Sequence, residues 1–564
     1  MKKTRIIYFI LAFHIFTNIY GKTKVAEEGI YNVKNYGATG DGKHIETDAI
    51  NKAIRTCNLQ GGGIVLFPAG VFITGTFELL SNVTLELLPG SVIKASNNLA
   101  DFKLKSDFNL KGYGSGDSGE GLRAGLIVAN RAKNIAITGH GVIDGNGTYF
   151  VDTKTPHLDD PNDFNKKRTR QGDSFMDPAI GLTEGPVLPW MNWKDRPGAL
   201  IILAECENII VKDITIKDSH NWTLNVSVCE NVEIHGINIL NNPLIPNNDG
   251  INITAKNARI SDCNIWTGDD GIAANECENL VVNNCVLSSR SSGIRFTGGS
   301  CCTFQNIIIR ESNRGIGIYG GAENVLFSNI IIQCKLFTGQ WWGKGEPIYL
   351  CVMPTTVYIK NSNTWIKNVR FSNIVAEAEN SILIYGTENN VIKDISFENI
   401  KLRLKGGVHS KTMGGNFDLR GLGAGPELAI FKHDIPGIYS HYVDGLQIHG
   451  FELQWADSLP DYFSDGIYCE YFSNLKIDGF KGRQAQLNGT GSAVNLFHGT
   501  NLSVINCEAS TGTGTFLSIQ DAGGLHSFIN NNLENAKQAF YPSDLLFKVM
   551  SGNDIPVSKE HSNK

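Results

Sequence analysis

The chain has 564 residues, 41% of them hydrophobic and 19% charged, with 61 Gly, 17 Pro and a net charge of -6. That composition is globular, and the mild acidity argues against a nucleic-acid partner, which calls for a basic face. Length alone would permit several domains, but solenoids and other β architectures run longer than that prior suggests.

In chain order, "MKKTRIIYFILAFHIFTNIYGKTK" comes first. Lys2, Lys3 and Arg5 precede a short apolar core, Ile6 to Phe16, and Gly21 offers a small cleavage residue. The pattern predicts a signal peptide over 1–22 and a secreted or periplasmic protein without a membrane span. "TDAINKAIRTC" follows, with Ala49, Ile50, Ala53 and Ile54 on one helical face. It is expected to cap the N-terminal end of a sheet structure, where an open edge would otherwise be exposed. "NVTLELLPGSVIKA" and "NIAITGHGVIDGNG" then read as short strands separated by turns.

From residue 205 the sequence repeats. Cys206-Glu207-Asn208-Ile209 is echoed by Cys229-Glu230-Asn231-Val232, by Cys277-Glu278-Asn279-Leu280 and by Glu323-Asn324-Val325. The interval is about 23 residues or a multiple of it, and the units are strands without intervening helices, the signature of a stacked repeat. The fold class this predicts is all-β: a single-stranded right-handed parallel β-helix with an N-terminal capping helix. Inward Ile, Val, Leu and Cys of one coil would be buried by the next coil. The recurrent Asn residues are expected to form a turn ladder, each amide bonding its neighbour's backbone. The 12 Cys are read as small buried apolar residues rather than disulfide or zinc ligands. Long loops are expected near 145–197 and 403–435, and a shorter one near 335–348. The catalytic β-helix domain is placed at 23–545 and a polar tail at 546–564, with no structural metal and no cofactor.

One stretch carries chemistry: "NNDGINITAKNARISDCNIWTGDDG". Asp249 stands 20 and 21 residues before Asp269 and Asp270, close to one coil, so stacking would set three carboxylates on neighbouring rungs of one face. Such a cluster raises the pKa of at least one member and brings the fold no stability. It suits chemistry that needs an acid held protonated beside ionised bases, as in glycoside hydrolysis. Asx-turn residues or a calcium site are the structural alternatives.

These residues resemble glycoside hydrolase family 28, the polygalacturonase and rhamnogalacturonase group of β-helix pectin hydrolases. The resemblance runs from "YNVKNYGATGDGKHIETDAINKAI" through "GVIDGNG" to the carboxylate stretch, and more weakly beyond residue 350. The family's N-T-D-G falls on Asn247, Asn248, Asp249 and Gly250, and its G-D-D on Gly268, Asp269 and Asp270. "SHNWTLNV" from Ser219 matches a further family strand. The resemblance implies an inverting glycosidase in which Asp269 is the general acid while Asp249 and Asp270 hold and activate water. Its partner would be a polysaccharide or oligosaccharide, and the enzyme a monomer.

Two family features are missing. The G-H-G expected after the Asp pair reads Ser291-Ser292-Gly293-Ile294-Arg295, and Gly317 and Tyr319 stand where R-I-K would supply the uronate clamp. Rhamnogalacturonan hydrolases of the family also lack that His. Arg295 is the candidate replacement cation, since an Arg fork suits a carboxylate. Asn247, His220, Trp341, Trp342 and Lys344 are further substrate-binding candidates. The two Trp and the Lys lie in "GQWWGKGEPIYL", and Trp190 and Trp193 are possible cleft walls. A β-helix polysaccharide lyase and a non-catalytic carbohydrate-binding β-helix are the competing functions.

Overall fold

The computed structural model describes residues 29–104, 124–156, 167–175, 189–190, 196–337, 343–352, 365–419, 430–487, 489, 491–543 and 546–556. The expected signal peptide, Trp193, Trp341 and Trp342 lie outside the described residues, and only the backbone of Trp190 is described.

The repeat becomes one continuous parallel sheet wound into coils. Strand Leu224–His235 pairs in parallel with Ile251–Ser261, which pairs with Ile272–Asn283, which pairs with Ser292–Ser312. The stack continues through Ala322–Cys334, Ile366–Ala378, Ile392–Leu404, Ile438–Trp455 and Ile467–Asp478. Each residue therefore sits over its counterpart one coil away, about 4.8 Å along the axis.

Alternation along each strand decides which side chains face in. Strand Ile392–Leu404 buries Ile392, Ile395, Phe397, Ile400, Leu402 and Leu404. In-register inward positions form columns of like residues. Phe304, Phe327, Phe371 and Phe397 stack face to face with centroids 4.7, 5.1 and 5.0 Å apart. That spacing is the strand spacing itself, so coil geometry and ring stacking support one another.

The helix Thr47–Leu59 closes the N-terminal end and buries Ile50, Ala53, Ile54 and Cys57. All 12 Cys are free; every one is buried except Cys301, which is exposed.

The Asn ladder exists, but its bonding differs from expectation. Each amide donates to the side-chain oxygen of the Asn one coil earlier, not to backbone: Asn134 to Asn82, Asn208 to Asn134, Asn231 to Asn208, Asn257 to Asn231 and Asn279 to Asn257. All occupy left-handed turns with φ near +55° to +62°, which point their side chains along the axis and which Asn tolerates through its short polar side chain. Cys301 takes the next such position, and the ladder resumes with Asn368 donating to Asn324.

The stack also extends past residue 545, into the segment expected as a polar tail. Val549–Ser551 pairs in parallel with Gly523–Ile529, and the Asp554 carbonyl accepts from the Leu533 N–H. Within the loop near 403–435, Asn416–Asp418 and Ile430–Lys432 form an antiparallel hairpin laid on the outside of the coils.

Replacing Phe327 by Ala should cost about 3–5 kcal/mol of stability, because two stacked partners lose contact and the cavity cannot collapse along a rigid column. Chemical denaturation of the variant against wild type measures it.

Candidate active site

Asp249-Gly250 and Asp270-Gly271 each lead into a strand, and Ile251 is in register with Ile272. Asp249 therefore lies one rung from Asp270, as the sequence spacing requires. The Gly250 N–H donates to the Asp270 carbonyl at 2.9 Å, and the Gly271 N–H to the Ser292 carbonyl at 2.8 Å. A Cβ at Gly250 would sit 2.5 Å from the Gly271 carbonyl oxygen, and one at Gly271 2.6 Å from that of Gly293. Only glycine lets the coils close at these two points, which accounts for the D-G pairs.

Asn248 ties the two motifs together. Its amide donates to the Asn242 carbonyl at 2.7 Å, and its Oδ1 accepts from the Gly268 N–H at 2.6 Å. Asp269 is held by backbone at both oxygens: Oδ2 accepts from the Asn247 N–H at 3.1 Å and Oδ1 from the Asp270 N–H at 3.0 Å. Thr267 and Ser289 hydroxyls donate to its carbonyl. Asp270 Oδ1 accepts from the Ser292 N–H at 3.0 Å, and its Oδ2 lies 3.6 Å from Arg295 Nη1. Asp249 is buried, and its Oδ1 accepts no hydrogen bond among the described residues.

Electrostatics follow from this crowding. Burial, then the charge of Asp270, lifts the Asp269 carboxyl to about 7, against the opposing pull of the Asn247 N–H and of Arg295. Burial, then Asp269 and Asp270, pushes Asp249 well above the ordinary carboxylate range. Asp269 is the half-buried member and the other two are buried. The cluster thus retains a proton at a pH where isolated carboxyls have lost theirs.

The other candidates divide. Arg295 is at the site, mostly buried and facing Asp270. Asn247 is there too, through its backbone N–H. His220 does not line a cleft: it is fully buried, edge-on to Phe102 and Phe150 at centroid distances of 5.9 and 5.8 Å. Burial, then Arg196, lowers it to about 3, so it stays neutral. Lys344 is also withdrawn. Its Nζ donates to the Gly343 carbonyl and lies 3.6 Å from Asp418 Oδ2, inside a buried network.

That network explains the missing clamp. Arg314 is fully buried, with Nε and Nη2 on the two oxygens of Glu346, Nη1 donating to the Tyr319 hydroxyl at 2.6 Å, and its guanidinium 3.5 Å from the Tyr349 ring centroid. A Cβ at Gly317 would meet the Tyr319 ring at 2.7 Å and Arg314 Cδ at 3.1 Å. Gly317 is thus the residue over which Tyr319 and Arg314 close, and it stands in register with Arg295. The Arg295 guanidinium lies 5.7 Å from the Tyr319 ring centroid.

Sequence reasoning missed Arg196. It is buried, donates Nη1 to the carbonyls of His220 and Pro246 at 3.0 Å, and has Nη2 3.5 Å from Asn247 Oδ1. Burial brings its pKa down to about 9, opposed by attraction to Asp249 and Asp269. It therefore adds a second cation near Asp249 and Asp269. It comes from the long loop before residue 197, outside any repeat, where no periodicity marks it. Among the described residues no group of three or more His, Cys, Asp or Glu is arranged to hold a metal ion.

Comparison with known proteins bears directly on this geometry. Residues 191–294, which contain all three carboxylates, match Glycosyl hydrolases family 28. The carboxylate coils thus lie within the segment that resembles family 28. Residues 249–421 match a right handed beta helix region, and residues 30–158 match Rhamnogalacturonase A/epimerase, pectate lyase-like. An exo-poly-alpha-D-galacturonosidase of Dickeya chrysanthemi is 28% identical over 292 residues, 50% of this chain and 44% of that protein. A probable polygalacturonase of Vitis vinifera is 30% identical over 245 residues, 42% of this chain and 43% of that one. The chain thus spans under half the length of these curated relatives. The Yersinia enterocolitica family 28 exopolygalacturonase structure shares the fold, with a TM-score of 0.54 and 18% identity over 80% of this chain and 78% of that one.

Because Asp269 is raised to about 7 in the folded chain, the stability linked to it is complete below about pH 4 and is lost as pH rises through 7. Every tenfold gain in proton affinity on folding is worth about 1.4 kcal/mol. Asp269→Asn cannot ionise, so its stability relative to wild type should rise by a few kcal/mol between pH 4 and pH 8. Denaturation of both proteins at the two pH values checks this.

Proposed function

We propose that the protein is a secreted or periplasmic glycoside hydrolase that cleaves pectin-type polysaccharide, galacturonan or rhamnogalacturonan, with inversion and without a cofactor. The observation that carries the reading is the in-register trio Asp249, Asp269 and Asp270, in which the half-buried Asp269 is poised near pH 7. A carboxyl that is protonated near neutrality and reachable from solvent is suited to protonate a leaving glycosidic oxygen. Asp270 is the base that would take the proton of a water on the opposite face of the sugar, and the buried Asp249, whose Oδ1 accepts no hydrogen bond among the described residues, would orient that water. Between its two backbone donors Asp269 is fixed in direction, so the proton is delivered along one line.

Arg295 replaces the uronate clamp in this reading. It reaches the site from the coil after Asp270, and Tyr319 limits its swing. With a single Arg in place of the family's His and R-I-K set, the site would hold one substrate carboxylate, as suits an alternating or decorated pectin better than a fully acidic chain.

Asp269→Asn should lower kcat by about 10²–10⁴, the usual contribution of general acid catalysis, when galacturonan and rhamnogalacturonan fragments are digested and followed by mass analysis. Anomeric analysis of the first product should give the inverted configuration. A variant that keeps more than a tenth of the wild-type rate overturns the role of Asp269. Arg295→Leu should raise KM at least tenfold for fragments with a uronate at the cleaved bond, while leaving neutral glycosides, if turned over, unaffected.

A further inference from the structure

One coil before Asp249, the register position of the acids is held by an aromatic ring. The Thr223 N–H donates to the Asp249 carbonyl at 2.9 Å and the Leu224 N–H to the Gly250 carbonyl at 3.0 Å, and Leu224 is in register with Ile251. The counterpart of Asp249 on that coil is therefore Trp222, one rung or about 4.8 Å along the axis.

A second column runs beside the first. Leu224 and Val226 are buried in the core, so Asn225 between them faces outward. Its register partners are Asn252, then Ala273, then Arg295. Where the coil of Ser292 offers this face a guanidinium, the coil of Trp222 offers a neutral amide, whose Oδ1 accepts from the Ser227 hydroxyl at 3.1 Å. Arg196, which lies near, is buried and directs Nη1 at the His220 and Pro246 carbonyls.

Trp222 is half-buried and packs on the apolar cluster that includes Val128, Ala199 and Ile202. Among the described residues no aromatic ring stacks on it and its indole N–H meets no acceptor. Unlike the buried Asn225 amide, that N–H is not closed off from solvent. A fully buried indole N–H usually finds a protein partner, so this one is left for a partner that arrives from outside. The backbone that carries the ring is fixed: its N–H donates to Asn221 Oδ1 at 2.9 Å, and its carbonyl accepts from the Leu200 N–H at 2.7 Å.

We propose that Trp222 is the stacking platform for a neutral sugar ring that lies across the cleaved bond from the uronate held by Arg295. A glycan laid along the axis meets Trp222, then the three carboxyls, then Arg295, three rungs or roughly 14 Å from end to end. The indole face packs against sugar C–H groups and its N–H donates to a hydroxyl, while neither Trp222 nor Asn225 offers charge to a carboxylate. The polymer that fits both ends is one in which neutral and acidic sugars alternate. The inference rests on the glycan reading of the carboxylate site, but binding is read apart from turnover.

Isothermal titration calorimetry tests this with Asp269→Asn enzyme, so that nothing is digested, and with equal-length oligosaccharides of rhamnogalacturonan, which alternates rhamnose and galacturonate, and of galacturonan. The alternating chain should bind at least tenfold more tightly. Adding Trp222→Leu, which keeps the apolar packing but presents no flat ring, should weaken its binding at least tenfold, and Trp222→Phe should largely preserve it. The alternating chain should also shift the tryptophan fluorescence of Asp269→Asn enzyme, and most of that shift should be missing in Trp222→Phe, whatever the fate of Trp222→Leu on folding. The proposal is overturned if galacturonan binds as tightly as the alternating chain, if folded Trp222→Leu binds the alternating chain undiminished, or if the fluorescence shift survives Trp222→Phe intact. Wild-type enzyme that cleaves neither chain ends the hydrolase reading while Trp222-dependent binding stands; cleavage with Trp222-independent binding ends the platform alone.

Discussion

Strict in-register parallel stacking is the constraint on which the rest of this molecule depends. One coil equals one rung, so residues about 21 apart in sequence become neighbours across roughly 4.8 Å. The interval between Asp249 and Asp270 is therefore a distance in space. The inward Phe and Ile columns hold that register, because a one-residue slip would turn every core side chain outward. The Gly after each Asp lets adjacent coils close where a Cβ would collide with backbone.

On that frame, charge is placed where folding alone would not place it. Three carboxyls share a site with two buried or mostly buried guanidinium groups, Arg196, attracted to Asp249 and Asp269, and Arg295, 3.6 Å from Asp270. The cations offset the repulsion without abolishing it, and burial together with the Asp270 charge lifts Asp269 to about 7. A further buried cation, Arg314, is fully neutralised by Glu346 and serves packing: it anchors Tyr319, the outer hairpin and the loop that carries Lys344. Two Arg residues one rung apart in the stack thus do different work, and burial against exposure to the carboxylates separates them.

Much of this was legible in the sequence, and the limits are instructive. Periodicity identified the coils, the buried Cys and the carboxylate trio, because each depends only on spacing along a regular strand. The Asn ladder was anticipated, but not its side-chain-to-side-chain bonding, which is set by left-handed turns that point each amide along the axis. Residues in loops were misread for a common reason: nothing periodic specifies where a loop folds back. Lys344 was a candidate for binding substrate but meets Asp418, far along the chain; His220 was another but is enclosed by Phe102 and Phe150. Arg196 went unnoticed for the same reason, and the strand at Val549–Ser551 was hidden by the polar composition around it.

The break in the Asn ladder at Cys301 has a consequence for mechanical continuity. Up to Asn279 each amide grips the one before it, and from Asn324 a fresh run begins, so lateral cohesion along that corner is divided into two lengths. The division falls just beyond the coils bearing Asp249 and Asp270. At another corner the amides of Asn284, Asn306, Asn329, Asn373 and Asn399 grip one another past this point without a break, so the two lengths stay joined through that second seam.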